Sequence, residues 1–265
     1  MSTNINFAKK LGLGGETRID LPAFDASYKA ILYRAIALGY TLPSADQQAK
    51  QNSLLVSLKT IGVWNKLDVF YVFAQNGGSA FGTLNWKNPN ANQSTLVNAP
   101  TFVSNGGLMG NGTSSYIDTN YNPSTQGVQY TLNNASMYFF THAISGAGAF
   151  AGVETTAENR MWRQPSSQQR INQGSTALPS AFDFTAVVNT KSIHRTSSTN
   201  ITLYNSTTGE NRTVASSVMP TQDLFVLKSQ TSHGAHTSAG FAAGASLIAE
   251  HTNFINAWNT YKSSL

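Results

Sequence analysis

The sequence has no cysteine, which excludes disulfides, thiolate metal centres and cysteine nucleophiles. Charge is scarce: Asp, Glu, Lys and Arg make up 11% of the 265 residues, against about 25% in an ordinary globular chain. No stretch approaches the ~18 consecutive apolar residues of a membrane-spanning helix, so membrane insertion is not expected. The start, Met1-Ser-Thr-Asn-Ile-Asn-Phe-Ala-Lys-Lys10, lacks the apolar core of a secretory leader, which points to synthesis in a cytoplasm. Basic runs are missing as well. The net charge of +5 is spread, with eight Lys or Arg against five Asp or Glu in residues 1–68 and nine against seven in 69–265. That distribution does not suit phosphate tracking, and no nucleic-acid partner is expected. The Gly-x-Ser-x-Gly nucleophile turn and the Glu-x-Asp-x-Glu strand of glycanases do not occur. Gly12-x-Gly14 lacks the third glycine and the preceding strand of a dinucleotide loop.

What is present is apolar and neutral-polar. Hydrophobic residues make up 40%, with 14 Phe, 10 Tyr and 4 Trp, enough for a real core and unlike a disordered chain. Asn, Gln, Ser, Thr and Gly fill the surface in place of charge. Residues 1–22 have no period and read as an extended arm. A helical hairpin is predicted over 23–63. Its first helix runs from Asp25 to Leu38, with Asp25 as cap, Gly39 as stop, and Tyr28, Ile31, Leu32, Ala35 and Leu38 as stripe. The second runs from Ala45 to Ile61 behind a Ser44-x-x-Gln47 capping box, and Gly62 ends it. From Trp64 onward the grammar becomes that of strands. Leu67–Ala74 ends in Asn76-Gly77-Gly78, and short candidates then recur at 81–86, 100–104, 114–119, 135–144, 148–154, 159–163, 168–172, 184–195, 200–205, 210–215, 223–229 and 238–248. Such spacing predicts an antiparallel β-sandwich over 64–265. A terminal helix from Ile248 to Tyr261 would lay Ile248, Phe254, Ile255, Trp258 and Tyr261 against it.

The stretch Gly107-Leu-Met-Gly-Asn-Gly-Thr-Ser-Ser-Tyr-Ile-Asp-Thr-Asn-Tyr-Asn-Pro123 resembles a recurrent segment of the concanavalin A-like, laminin-G-like jelly rolls. The segments 192–206, 223–228 with 240–248, and Phe254-x-x-Ala-Trp-x-x-Tyr261 resemble the same family's hairpin, closing strands and terminal helix. The front part, Asp25–Asp68, resembles the helical preface of phage-encoded versions. The resemblance implies a mainly β fold: a jelly-roll sandwich with a small N-terminal two-helix region and a C-terminal helix. It further implies a bacteriophage virion component.

Candidate sites follow from spacing. In Arg160-Met-Trp162-Arg163-Gln164, a strand would put Arg160, Trp162 and Gln164 on one face, with Arg170 alongside if 159–172 is a hairpin. An aromatic beside guanidiniums and an amide suits a sugar ring whose acidic group is held by arginine. The alternative has Trp162 packed inward and the arginines solvated. Asp118-x-Asn120-x-Asn122 spaces three oxygen ligands as in half a calcium loop, although Pro123 and Gln129 stand where Gly and Glu belong. Asx turns are the other reading. His233 and His236 are either a two-imidazole metal pair or a polar loop. Glu154 and Glu158, a close carboxylate pair, read as a turn rather than a catalytic pair.

The expectation is therefore a non-enzymatic virion structural protein (head-decorating, fibre or tail-appendage). Its residues 1–22 would contact other virion proteins, it would be present as a homo-oligomer or in many copies, and it would touch host polysaccharide. No cofactor is expected beyond the calcium reading. A carbohydrate-binding module outside any virion is the alternative, and a glycoside hydrolase the third reading.

Overall fold

The computed structural model describes residues 22–153, 155, 159–163, 169–174, 182, 184 and 187–265. Apart from Pro22, the expected arm lies outside them.

Two helices open the described chain, α1 (Ala26–Ala37) and α2 (Ala45–Thr60). Each begins where a side chain satisfies an orphan amide. The Asp25 carboxylate accepts from Ser27 N at 2.8 Å, and Ser44 Oγ accepts from Gln47 N at 3.3 Å. Gly39 and Gly62 follow the helices at φ +72° and +76°, conformations that stop a helix cheaply only in glycine. Only half of the capping box forms. The amide of Ser44 donates instead to Asn76 Oδ1 at 2.9 Å, while the Gln47 side chain accepts from Asn76 N and donates to Asn105. The buried Gln47 thus ties α2 to two sandwich loops.

The strands, in chain order, are β1 (Leu67–Val72), β2 (Thr95–Val97), β3 (Thr101–Val103), β4 (Gly107–Met109), β5 (Tyr116–Asp118), β6 (Ala135–Ala143), β7 (Gly148–Gly152), β8 (Asn159–Arg163), β9 (Arg170–Ile171), β10 (Lys191–Arg195), β11 (Asn200–Asn205), β12 (Thr208–Thr213), β13 (Phe225–Val226), β14 (Lys228–Ser229), β15 (Ser232–His233) and β16 (Thr237–Gly244). The remaining helices are α3 (Ser79–Gly82), α4 (Pro123–Gln126) and α5 (His251–Ser263). One sheet runs β12-β11-β10-β6-β16-β4-β3, with β1 on the same side of β16 as β4. The second runs β2-β5-β13-β7-β8-β9, and every pairing is antiparallel. The expected antiparallel sandwich with helices at both ends of the described chain is what the protein adopts.

Period-two alternation sorts the side chains into two cores. Val69, Tyr71 and Phe73 meet Met137, Phe139, Phe150 and Ile193 between the sheets. Phe70, Val72, Tyr138 and Phe140 point the other way, into a second core built with α1, α2 and α5. There Trp258 stacks on Phe140 with ring centroids 4.0 Å apart, and Tyr28 sits 5.8 Å from Trp86. The centre of the larger sheet, β1, β6 and β16, is therefore buried on both faces, which is why β6 reads as a nearly unbroken apolar run. Each large side chain so buried contributes roughly 1.5–3 kcal/mol.

Three expectations need correction. Residues 81–86 are not a strand. Phe81 belongs to α3, and Asn85 and Trp86 cap the edge of β1, accepting from Phe70 N at 3.1 Å and donating to Phe70 O at 2.7 Å. Among the described residues of the strand expected over 184–195, only β10 is a strand. The last helix starts at His251 rather than Ile248, and Ile248 is exposed.

Candidate functional site

The smaller sheet has one face in the core and one toward solvent. On β8 and β9, Asn159, Met161 and Ile171 turn inward, so Arg160, Trp162 and Arg170 turn outward. Arg160, Trp162 and Arg170 are thus brought to one face, but with exposures reversed from the alternative reading. Trp162 is half-buried on the outer face, whereas Arg160 and Arg170 are only 4% and 6% exposed. They sit opposite each other across the β8–β9 ladder. The Arg160 guanidinium lies 4.3 Å from the Trp162 ring centre and donates to Gln230. Burial, and then the charge of Arg170, pull its pKa down to about 10. Arg160 and Arg170 are therefore largely sealed, and the half-exposed Arg163, next to Trp162 on β8, belongs by the same alternation to the strand's other face. Gln164, the fourth residue of the predicted face, lies outside the described residues, as do Glu154 and Glu158.

Three pieces of backbone surround Trp162. The first is the hairpin β14–β15, laid across β7. Leu227 N donates to Phe150 O at 2.7 Å, and Gln230 N donates to Val153 O at 2.8 Å. That approach demands glycine beneath it. A Cβ on Gly148 (φ +126°) would come within 2.6 Å of His233 O, and one on Gly152 within 2.4 Å of Ser229 Oγ. The second is the loop between β4 and β5. The Asn111 carboxamide oxygen accepts from the amides of Thr113, Ser114 and Ser115 at 2.8–2.9 Å, folding the Gly107–Asp118 segment and presenting Gly112 and Thr113. The third is the turn before β7, with Ala147 and Gly148. Together with Thr231, Ser232 and His233 they enclose an open hollow of about 300 Å³ with Trp162 on its wall. Trp162 itself is braced. Its backbone N–H donates to Gln169 Oε1 at 2.8 Å, and Gln169 Nε2 donates to its backbone carbonyl at 2.7 Å. A buried side chain here stands in for the strand that β9, two residues long, is too short to supply.

The other candidates resolve differently. Asp118, Asn120 and Asn122 are each engaged apart. Asp118 Oδ1 accepts from Asn120 N at 2.9 Å, Asn120 Nδ2 donates to Gln93 O at 2.6 Å, and Asn122 caps α4 and donates to Thr221 O at 2.8 Å. This is Asx-turn bonding rather than a convergent ligand set. Asp118 is held above the usual carboxylate range by burial and by the charge of Asp223, against the opposing pull of Asn120 N and Lys228. Among the described residues, no three His, Cys, Asp or Glu side chains come together as a metal site. His233 and His236 part company: His233 borders the hollow, while His236 is fully buried and stacks on Phe150 at 4.5 Å. Ser192 Oγ lies 3.1 Å from His194 Nε2, but both are sealed beneath α5 beside His251 and are closed to any substrate.

No family model matches the chain, and no curated protein matches it in sequence. Solved structures similar to it include domain 4 of AbnA, a GH43 extracellular arabinanase from Geobacillus stearothermophilus, in complex with arabinotriose. That match has 10% identity and a TM-score of 0.37 and covers 72% of this chain and 98% of that one. An arabinofuranosidase complexed with arabinofuranosyl-α-1,2-xylobiose matches at 9% identity and TM-score 0.37, covering 60% of this chain and 40% of that one. A Trypanosoma rangeli sialidase matches at 9% identity and TM-score 0.43, covering 80% of this chain and 40% of that one. The chain thus spans about two fifths of the latter two. Identities this low, with TM-scores below 0.5, fix neither family nor activity. They do correct one expectation: glycoside-processing enzymes are among the structures the chain is similar to, so the exclusion of catalysis drawn from the sequence does not stand.

Proposed function

We propose that the chain is a β-sandwich recognition module that binds carbohydrate in the hollow beside Trp162. The observation that carries this reading is the outward Trp162, held in register by Gln169 and set in the wall of a hollow of about 300 Å³ edged by hydroxyls, glycines and an imidazole. Volumes of roughly 300 Å³ and up are those of small-ligand sites. An indole offers a flat apolar surface to the C–H face of a sugar ring, and Thr113, Thr231 and Ser232 offer groups that both donate and accept to its hydroxyls. Glycan-array screening followed by titration calorimetry tests it. Saturable binding that falls at least tenfold in Trp162→Ala is expected. A wild-type protein that binds no glycan, or binding indifferent to that substitution, overturns the reading.

We further propose that the module is carried in many copies on a virus particle, with residues 1–22 meeting neighbouring virion proteins. This setting rests on the resemblance of Gly107–Pro123 and of the helical preface to phage-borne jelly rolls. Quantitative mass spectrometry of purified particles should find the chain in fixed stoichiometry, and intact particles lacking it would refute the setting.

A further inference from the structure

We propose that β12 is the contact through which two copies of this chain pair, edge to edge and antiparallel, about a two-fold axis at Asn211. β12 ends the larger sheet, and among the described residues no strand pairs with its outer side. An open strand edge is a row of unpaired amides and carbonyls, which proteins blunt with a very short strand, a bulge, a lysine or a proline. The other sheet ends are short: β3 and β2 have three residues each, and β9 has two. β12 has six, Thr208-Gly-Glu-Asn-Arg-Thr213, with neither lysine nor proline and an unbroken register against β11. Every one of them except Arg212 is exposed.

The backbone dictates which groups a second strand would meet. Val214 N donates to Thr199 O, and on the other side of β11 Ser206 N donates to Thr190 O. Alternation from those bonds turns the amides and carbonyls of Thr208, Glu210 and Arg212 toward β11, and those of Gly209, Asn211 and Thr213 outward. Charge then chooses the register. Glu210 and Arg212 project from one face of the strand and already pair along it. An axis at Glu210 would set two carboxylates against each other, and an axis at Arg212 two guanidiniums, both unfavourable. With the axis at Asn211, Glu210 faces the partner's Arg212 and Gly209 faces the partner's Thr213, so charges of the two copies alternate in sign. Arg212 Nη1 donates to Asn211 O at 3.1 Å in the single chain. On pairing, that carbonyl takes the partner's Asn211 N–H, and the guanidinium turns to the partner's Glu210, a stronger acceptor because it is charged.

Sedimentation equilibrium of the full chain from about 5 to 300 μM tests this. A reversible monomer–dimer equilibrium is expected, since so short an edge is smaller than tight interfaces are. Glu210→Arg and Arg212→Glu, each alone, should weaken it at least about tenfold with the thermal melt unchanged, because like charges then oppose each other across the axis. An equimolar mixture of the two single variants should associate like wild type, and so should the double variant, since both restore opposite charges. Hydrogen exchange at the amides of Gly209, Asn211 and Thr213 should slow as the chain associates. A chain that stays monomeric over the whole range overturns the proposal. A dimer indifferent to both single variants, a mixture of them that fails to associate, or unchanged exchange at those three amides overturns it as well.

Discussion

Acid is expected to unfold this protein through its sealed imidazoles, and His236 allows the size of the effect to be worked out. Its ring is fully buried against Phe150. Burial first, and then the charges of Arg163 and Lys191, lower its pKa to about 4 against the partial opposition of a bond to the Gly148 backbone. In the unfolded chain it titrates near 6.5. Between those values the unfolded state binds the extra proton, so the stabilisation is complete above pH 6.5 and is lost as pH falls toward 4. At roughly 1.4 kcal/mol per pH unit, the native state loses about 3 kcal/mol, most of it by pH 4.5. His194 and His251, the first residue of α5, have rings 5.3 Å apart; both are also lowered by burial and act with the same sign. Asp118 and Asp223 are raised and act oppositely at the bottom of the window. The comparison of wild type with His236→Gln is therefore the informative one. Urea unfolding at pH 7 and pH 4.5 should show the variant weaker at pH 7 but losing about 2.5 kcal/mol less on acidification. Equal acid losses in the two proteins would refute the reasoning.

Three further outcomes are expected. Asp68 accepts from Tyr121 OH at 2.8 Å and from the amides of Val128, Gln129 and Tyr130 at 2.8–3.2 Å, so Asp68→Ala should cost about 3 kcal/mol in urea unfolding. A cost under about 1 kcal/mol would mean that water replaces the carboxylate. Arg195, fully buried, spans the sheets by donating to Ile171 O and Val214 O. Arg195→Met leaves those carbonyls unpaired and should lower stability by about 2–5 kcal/mol, read from the urea midpoint. Gly148→Ala forces a Cβ against His233 O at a backbone angle side chains rarely adopt. It should lower the melting temperature by several degrees, roughly 4 °C or more, and weaken glycan binding by displacing the hairpin. An unchanged melt would show that the hairpin moves freely.

What the sequence disclosed was local. Asp25, Ser44, Gly39 and the stripes of α1 and α2 are caps and periods within one turn of each other, and they fold as read. Period two put Arg160, Trp162 and Gln164 on one face, with Arg170 alongside if 159–172 is a hairpin, but it left open which face. Met161 and Trp162 are adjacent and both apolar, and only packing against Ile171 decides between them. Residues 81–86 carry apolar side chains at strand-like density, yet they are buried beneath helices as a cap on β1, which no local pattern distinguishes. The brace at Gln169, the hairpin over β7 and the Asp68 clamp depend on contacts across 7 to 77 residues. Glycines at 148 and 152 are legible as turn or bulge signals, but their partners His233 and Ser229 are not.

The helices cover the far side of the larger sheet, and the described chain begins there, at Pro22 ahead of α1. Trp162 looks out from the opposite side, with both sheets between. Whatever is anchored at the helical end is thus held clear of the hollow. A partner covering the helices and a ligand in the hollow would therefore not compete for the same surface.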